Sequence, residues 1–408
     1  MRVQFDSSSP MRRRAFLTSL GCSALARTLL AIPPPPPPSP ELLRLAGRCV
    51  LAGWRGPQIP PGLAARITDG ALGGVLLARE NLAGPGSLVR LTAACQRLVP
   101  AGGAPLLVAA DQEGGPVSHL SPPLPPMPSM LTLGTLDDVA LTERVAVALG
   151  HGLRGAGVNF NLAPVLDVRT NRANTVILGR AFGSDPALVA RHGVAFVAGL
   201  TAAGVLSCAK HFPGHGDTRE DSHAALPRVV HGVERLAAVE LVPFAAVAST
   251  VPAVMMAHVV YSGVEPGMPA SLSRPHAVGL LRERLGFQGV AVTDDLEMSA
   301  IRSRWGVAQG ALRAMRAGCD LLTVAHTVGA AGEVVRLLAQ TAAGDEDFRR
   351  RLEEAAARVD AMRRRLAGEG MPVRMQREPV GALLREVQGR AARGRGPRGA
   401  MRDPTRPR

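Results

Sequence analysis

Acidic, imidazole and amine side chains follow several short apolar runs of this sequence, and their types suit nucleophilic and acid–base chemistry. They are Asp111, Lys210-His211, His258, Asp294-Asp295 and His326. A carboxylate can attack an electrophilic carbon, and an imidazole can give and take a proton near neutral pH. Since five such positions are more than ordinary loop polarity explains, we predict that they converge on one site.

Lys210 is the only lysine in the chain, against 46 arginines. The composition therefore favours arginine wherever a surface cation is sufficient. A compact ammonium beside His211 indicates a site that a planar guanidinium would not fit. Chance retention of a single lysine is the alternative.

A second polar group follows Lys210 closely and consists of His215, Asp217, Asp221 and His223. Histidine and aspartate at such spacing can bind a metal ion. Alternatively, Asp221 can fix the tautomer of His223, as carboxylates do in other imidazole dyads. The residue types alone leave both interpretations open, and Asp294-Asp295 could likewise cap a helix.

The sequence has eight short apolar runs, five of which come shortly before these positions, and segments with helical patterns separate the runs. The runs are 48–52, 74–77, 105–109, 158–162, 205–209, 253–256, 289–292 and 320–324. The helical patterns include 137–153, 186–203, 233–248 and 307–317. Continuous apolar strands that alternate with helices indicate a parallel sheet buried on both faces. Eight such units predict an α/β fold, a single (β/α)8 TIM-like barrel whose site lies at the C-terminal ends of the strands.

Ordered motifs between about residues 45 and 327 make the chain resemble glycoside hydrolase family 3. They read DQEGG at 111–115, NLAPVLDV at 161–168, GRAF at 179–182, KHFPGHGD at 210–217, DSH at 221–223 and VTDDLEM at 292–298. The resemblance is to its single-domain β-N-acetylhexosaminidases, which act on peptidoglycan fragments. It implies a retaining hydrolase that needs no metal or other cofactor.

The resemblance also implies roles for individual residues. Asp294 matches the nucleophile, His223 the general acid/base, and Asp221 the carboxylate that orients and polarises it. Four further residues match positions that bind the hydroxyls of the N-acetylglucosamine ring, namely Asp111, Arg180, Lys210 and His211. The sequence departs from the family at Pro116 and His119, where arginine is common. We keep His119 as a substrate-binding candidate, although a plain loop residue is an equal alternative.

The charge and composition divide the chain into three parts. Residues 1–40 carry five arginines and one aspartate, and include Arg13-Arg14 ahead of an apolar stretch and a polyproline run. Twin arginines predict an exported protein, with a cytoplasmic one as the alternative. Residues 41–368 are predicted to form the barrel, and 369–408 a basic disordered tail, in which residues 371–408 carry ten arginines and three acids.

The formal charge of +14 therefore falls mostly at the two ends, which leaves +3 for the residues between 40 and 371. This distribution argues against specific nucleic-acid binding. No apolar run is long enough for a membrane span, and the five cysteines show no paired spacing. We expect a small carbohydrate or muropeptide as the partner, and the sequence leaves the oligomeric state open.

Three other functions compete with the hexosaminidase. A phosphorylase-like transferase is possible because a neutral imidazole tolerates a phosphate acceptor better than a carboxylate does. Another β-glycosidase of family 3 is the second alternative, although the resemblance implies that the two-domain glucosidases of the family take their acid/base from elsewhere. The third is a non-catalytic barrel that binds the cell wall. The presence in this sequence of Lys210-His211, Asp221-Ser222-His223 and Asp294 argues against it.

Overall fold

The computed structural model describes residues 37–219, 222, 225–367 and 378–394. The leader up to residue 36 lies outside the described residues, and so do Asp221, His223, 368–377 and 395–408. The predictions of an export signal and of the acid/base pair therefore concern residues that are not described.

Parallel strands form a barrel at the centre of the fold. Within the described residues the strands are β1 (Val50–Gly53), β2 (Gly74–Leu77), β3 (Leu107–Ala110), β4 (Gln112–Gly114), β5 (Val117–Ser118), β6 (Phe160–Asn161), β7 (Leu206–Phe212), β8 (Arg228–Gly232), β9 (Ala253–Met256), β10 (Val260–Gly263), β11 (Val290–Thr293) and β12 (Leu322–Val324). Eight of them pair in the order β11-β9-β7-β6-β3-β2-β1-β12, while β4 pairs with β5 and β8 with β10. The wall closes between the last and first strands of this order, where the Thr293 N–H donates to the Leu321 carbonyl (2.9 Å). The predicted (β/α)8 barrel is confirmed.

Helices surround the barrel. They are α1 (Pro40–Arg48), α2 (Pro61–Thr68), α3 (Ser87–Arg97), α4 (Met130–Leu136), α5 (Val139–Gly155), α6 (Pro186–Ala202), α7 (Val233–Ala238), α8 (Leu241–Val247), α9 (Ser299–Trp305), α10 (Val307–Ala317), α11 (Val328–Gly344), α12 (Glu346–Ala367) and α13 (Val380–Gly394), with a π-helical turn at Pro275–Arg284. The start of α6 is typical, since Asp185 accepts the N–H of Ala187 and Pro186 occupies the first turn. No helix among the described residues is long and apolar enough to cross a bilayer.

Alternation along each strand divides the apolar core into two layers. On β3, Leu107 and Ala109 join the cluster inside the barrel, whereas Val108 and Ala110 join the larger cluster between strands and helices. Both faces of each wall strand are thus buried, which explains why the sequence shows continuous apolar runs.

Each of the eight predicted runs overlaps one strand of the barrel, but some bounds differ. The prediction ended the fifth run at residue 209, whereas β7 continues through Lys210 and His211 to Phe212. The helix predicted for 233–248 is divided into α7 and α8. Pro243 explains the division, since proline has no N–H to continue a helix and fits only in a first turn.

The prediction of disorder after residue 368 is wrong for part of the tail. Residues Val380–Gly394 form α13, whose Leu383 and Val387 are buried in the main core. Arg144 of α5 binds Glu386 (2.7 Å), and Arg390 binds Asp138 (2.7 Å). The arginine-rich composition concealed a short apolar stripe at helical spacing.

Candidate active site

A cavity of about 450 Å³ opens at the C-terminal ends of the barrel strands. Six of the eight predicted site residues line it, and these are Asp111, His119, Arg180, Lys210, His211 and Asp294. The other two, Asp221 and His223, lie outside the described residues, but Ser222 between them lines the same cavity. His119 is exposed at the cavity rim.

Asp294 follows β11 directly, and its own N–H donates to the carbonyl of Met256 on β9 (3.2 Å). Within the described part of the chain its carboxylate accepts one hydrogen bond, from the Asp295 N–H to Oδ1 (2.8 Å). Burial by itself raises the pKa of Asp294, yet His258 and His211 favour the charged form and lower that pKa to about 2. The carboxylate is therefore ionised at neutral pH and retains an oxygen that can attack.

Lys210 and Arg180 both bind the buried carboxylate of Glu113, a residue that was not among the predicted site residues. Lys210 Nζ contacts Asp111 and lies 2.7 Å from Glu113 Oε1, while Arg180 binds Glu113 through Nε (2.9 Å) and Nη2 (2.7 Å). Burial raises the pKa of Glu113, but Lys210 and Arg180 together lower it to about 2. Glu113 thus fixes both cations at the cavity wall.

His211 is oriented by Asp167, a second buried carboxylate without an assigned role. Asp167 Oδ2 lies 2.8 Å from His211 Nδ1, and Oδ1 accepts the N–H groups of His211 (3.1 Å) and His215 (2.6 Å). Because the carboxylate only accepts, Nδ1 carries the proton, and Nε2 faces Arg180 Nη2 at 3.3 Å. Asp167 therefore fixes both the ring orientation and the tautomer.

These side chains form a surface suited to sugar hydroxyls. The ammonium of Lys210 donates to two carboxylates and has a third hydrogen available, since an ammonium has three. Asp111, with its side chain one quarter exposed, supplies acceptor oxygens at the cavity. A hydroxyl needs one donor and one acceptor, and this pair provides both.

The remaining polar strand ends differ in their position. His258 is completely buried behind the cavity wall, where Nδ1 contacts Ser271 Oγ (2.7 Å) and Nε2 contacts the carbonyl of Asp295 (3.0 Å). Asp295 and His326 line the cavity, and Asp295 Oδ2 lies 3.5 Å from His326 Nε2. Burial raises the pKa of Asp295 to about 6 although its carboxylate accepts backbone N–H groups.

The metal-cluster interpretation requires His215 and Asp217 to converge. In the structure, His215 contacts Thr218 (2.8 Å) and Ser222 (3.2 Å), whereas Asp217 contacts Thr170 (2.9 Å) and His231 (2.6 Å). Among the described residues no three His, Cys, Asp or Glu side chains are arranged to hold a metal ion. These two residues thus have separate partners.

Comparison with known proteins identifies the family of this chain. Residues 58–362 match the model of the glycosyl hydrolase family 3 N-terminal domain. A protein named beta-hexosaminidase from Xylella fastidiosa (strain M23) is 40% identical over 267 residues, which cover 64% of this chain and 78% of that protein. The chain belongs to glycoside hydrolase family 3.

Solved structures agree with this family assignment. A family 3 β-N-acetylglucosaminidase from Paenibacillus sp. str. FPU-7 superposes with a TM-score of 0.79 at 38% identity, covering 86% of this chain and 68% of that one. NagZ from Neisseria gonorrhoeae, solved in complex with N-trifluoroacetyl-D-glucosamine, gives a TM-score of 0.66 at 29% identity, with 84% and 98% covered. The predicted glycoside hydrolase and its barrel are therefore confirmed.

Sequence signals for the two overlooked carboxylates were present within the family 3 motifs. Glu113 stands two residues after Asp111, and Asp167 interrupts the apolar segment 161–168. A carboxylate inside an apolar run must be paired when it is buried. That rule identifies Asp167 as the partner of a cation or of N–H groups, although it does not name the partner, and it does not apply to Glu113, whose neighbours are not apolar.

Proposed function

We propose that this family 3 enzyme removes terminal β-linked N-acetylglucosamine with retention of configuration. Asp294 is the nucleophile, His223 the general acid/base, and Asp221 the carboxylate that orients His223. The observation that carries the proposal is the ionised Asp294 carboxylate, which lies at the cavity with an oxygen available for attack. Relatives named beta-hexosaminidase and β-N-acetylglucosaminidase support the choice of sugar.

The sugar ring is bound by the polar surface beside Asp294. Lys210, Asp111, Arg180 and His211 offer both donors and acceptors to its hydroxyls, and Glu113 keeps the two cations in place. His119 at the rim is a further candidate contact. A rigid array of this kind places the anomeric carbon against the nucleophile, and such positioning lowers the barrier.

The reaction has two steps. In the first, Asp294 forms a bond to the anomeric carbon while His223 protonates the departing glycosidic oxygen. In the second, His223 takes a proton from water, which attacks the same carbon and releases Asp294. An imidazole suits both duties because its reference pKa of about 6.5 lies near the working pH.

The natural substrate in this proposal is a small carbohydrate, a muropeptide released from peptidoglycan. The cavity volume is sufficient for a single sugar ring with its acetamido group, and the open rim leaves space for the leaving group.

We also propose export through the twin arginines. Replacing Arg13 and Arg14 with lysine should retain a fused reporter in the cytoplasm, whereas equal retention with the unaltered leader would contradict export.

A panel of aryl β-glycosides tests the proposal, with phosphate present or absent. We expect release from the N-acetylglucosaminide to exceed release from the glucoside and the xyloside, and free sugar rather than sugar phosphate as the product. Phosphate-dependent release would favour the phosphorylase, another preferred sugar would favour a different family 3 glycosidase, and no turnover would favour the non-catalytic barrel.

Leaving-group dependence tests His223. His223→Ala should cost about 10²–10⁴-fold on a disaccharide, and much less in the first step on an activated aryl substrate, which needs no proton. Asp221→Asn should show a weaker form of the same pattern. A uniform loss on all substrates would make His223 a binding residue, and Asp295, a cavity carboxyl whose pKa burial raises to about 6, would then be the acid to test.

A further inference from the structure

Ser222 is the described residue between Asp221 and His223, and it is held on two sides. Its hydroxyl lies 3.2 Å from His215 Nε2, and its carbonyl accepts the N–H of Ala300 (3.3 Å). Ala300 is in the first turn of α9, where N–H groups have no partner within the helix. Helix α9 follows Asp294 in the chain after a short turn. Ser222 therefore connects the acid/base segment to the segment of the nucleophile.

His215 is fixed by contacts on every polar atom. Asp167 accepts its N–H (2.6 Å), Asn174 donates to its carbonyl (2.8 Å), and Thr218 Oγ1 contacts both that carbonyl (3.0 Å) and Nδ1 (2.8 Å). A hydroxyl has one hydrogen, and the carbonyl of His215 can only accept. When Thr218 donates to the carbonyl, Nδ1 must donate to Thr218. The Nε2 atom then has a lone pair that accepts the hydroxyl hydrogen of Ser222.

The imidazole of His215 is suited to accept permanently. The residue is 2% exposed, and burial, assisted by the neighbouring His211, lowers its pKa to about 4. The ring stays neutral near pH 7, so Nε2 remains an acceptor. By contrast, the acid/base must change its protonation state twice in each turnover. His215 must therefore keep one protonation state, whereas His223, eight positions later, must change its protonation state during turnover.

We propose that His215 is a positioning residue for the general acid/base, which it holds in place through the hydroxyl of Ser222. The inference rests on the proposed roles of Asp221 and His223. Ser222 is joined to both residues by peptide bonds. Fixing Ser222 at His215 and Ala300 therefore restrains its two neighbours in the chain, while His215 itself takes no part in the proton transfers proposed for His223.

Removing the hydroxyl of Ser222 tests the proposal. Ser222→Ala should lower kcat/KM on N,N′-diacetylchitobiose by about 10–10²-fold, which is less than the ~10²–10⁴-fold contribution of an entire acid/base. On a dinitrophenyl N-acetylglucosaminide the first step should change little, and the alkaline limb of kcat/KM against pH should move. Ser222→Thr, which keeps the hydroxyl, should restore part of the disaccharide activity.

A double-mutant cycle separates positioning from general damage. His215→Leu, which has no acceptor, should reproduce the leaving-group pattern, and His215→Leu combined with Ser222→Ala should be no worse than the more severe single variant, because the same interaction is lost in each case. Thr142→Val is the matched control, since it breaks another buried hydroxyl–imidazole contact, that of Thr142 with His192 Nδ1 (2.8 Å), between α5 and α6. It should lower the melting temperature without altering the dependence on the leaving group.

Three results would overturn the inference. One is an unchanged disaccharide rate in Ser222→Ala, and another is an equal loss on both substrates. The third is additive losses in the cycle. If His223→Ala itself showed no leaving-group dependence, the proposed acid/base would fail and this inference with it. If His223→Ala behaved as expected and Ser222→Ala did not, only the inference would fail.

Discussion

Two buried carboxylates, Glu113 at the C-terminal face of the barrel and Asp320 at the N-terminal face, are each surrounded by cations. Asp320 contacts Arg282 (2.5 Å), Arg351 (2.6 Å) and Arg358 (3.2 Å), and it also accepts the N–H of Ala291 (2.9 Å). Glu113 contacts Lys210 and Arg180, which continue to a cavity. At the N-terminal face the arginines surround a carboxylate that lines no described cavity, whereas at the C-terminal face the cations line a cavity where a ligand can reach them.

The two aspartates at these faces differ in the same way. Asp320 has both oxygens occupied by guanidinium and N–H groups, whereas Asp294 accepts a single hydrogen bond within the described residues. A carboxylate whose oxygens are occupied stabilises the fold, and one that keeps an oxygen available can form a covalent bond. Burial and charge alone therefore do not identify a functional acid. The number of partners and the adjacent cavity do.

Replacing each aspartate with asparagine tests this contrast most strongly. Asp294→Asn should lower kcat by about 10⁴-fold or more, because the nucleophile is lost. Asp320→Asn should lower the unfolding free energy by about 3–5 kcal/mol, because three arginines then lack a buried counter-charge. Steady-state kinetics and urea denaturation of both variants give the comparison. The contrast would be lost if Asp320→Asn impaired kcat per folded molecule as severely as Asp294→Asn.

A second pair of variants exchanges the cations. Lys210→Arg should reduce kcat/KM by about 10²-fold, because a guanidinium cannot occupy the narrow position between Asp111 and Glu113 and displaces the sugar. Arg282→Lys at the other face keeps the charge and should leave kcat/KM unchanged, with a modest loss of melting temperature from the contacts to Phe287 and Gly289. Equal kinetics for both variants would show that Lys210 is an ordinary structural cation.

Glu113 gives a pH dependence whose sign is fixed by its lowered pKa. The folded pKa is about 2, against an ordinary value of 4.5, so the charged form is favoured by folding. The stabilisation is complete above about pH 4.5 and is lost as the pH falls toward 2, with a total of about 3 kcal/mol. Urea denaturation between pH 6 and pH 3 should therefore show a steeper decline for the unaltered enzyme than for Glu113→Gln. Parallel declines would mean that the two cations do not hold this carboxylate.

Much of the fold could be predicted from sequence because its signals are local. Most wall strands are short apolar runs, and Asp111 and Asp294 directly follow two of them. The prediction ends the fifth strand before Lys210, because a charged residue there indicates the end of an apolar run, whereas in the structure Lys210 belongs to β7 and pairs with Glu113 of β4. His258 and His326 show the same limit, since both follow strands but only His326 reaches the cavity.

The partners of the site residues depend on the folded barrel and not on local pattern. Lys210 and Glu113 are separated by nearly a hundred residues in the sequence, and the residues next to each give no indication that the two form an ion pair. Asp167 carries a local signal, a lone carboxylate in an apolar segment, which predicts a paired acid but not His211 as its partner. Helix α13 was concealed by composition, although its apolar spacing was present in the sequence.

The central claim is that Asp294 forms the glycosyl-enzyme, and covalent trapping tests it most directly. A fluorinated N-acetylglucosaminyl fluoride slows the second step, so the intermediate should accumulate and be located by mass spectrometry of proteolytic peptides. We expect one sugar per active enzyme, attached to Asp294, with none in Asp294→Asn and no effect of a chelator. A label on another residue, or no label together with activity that chelation removes and zinc restores, would contradict the account.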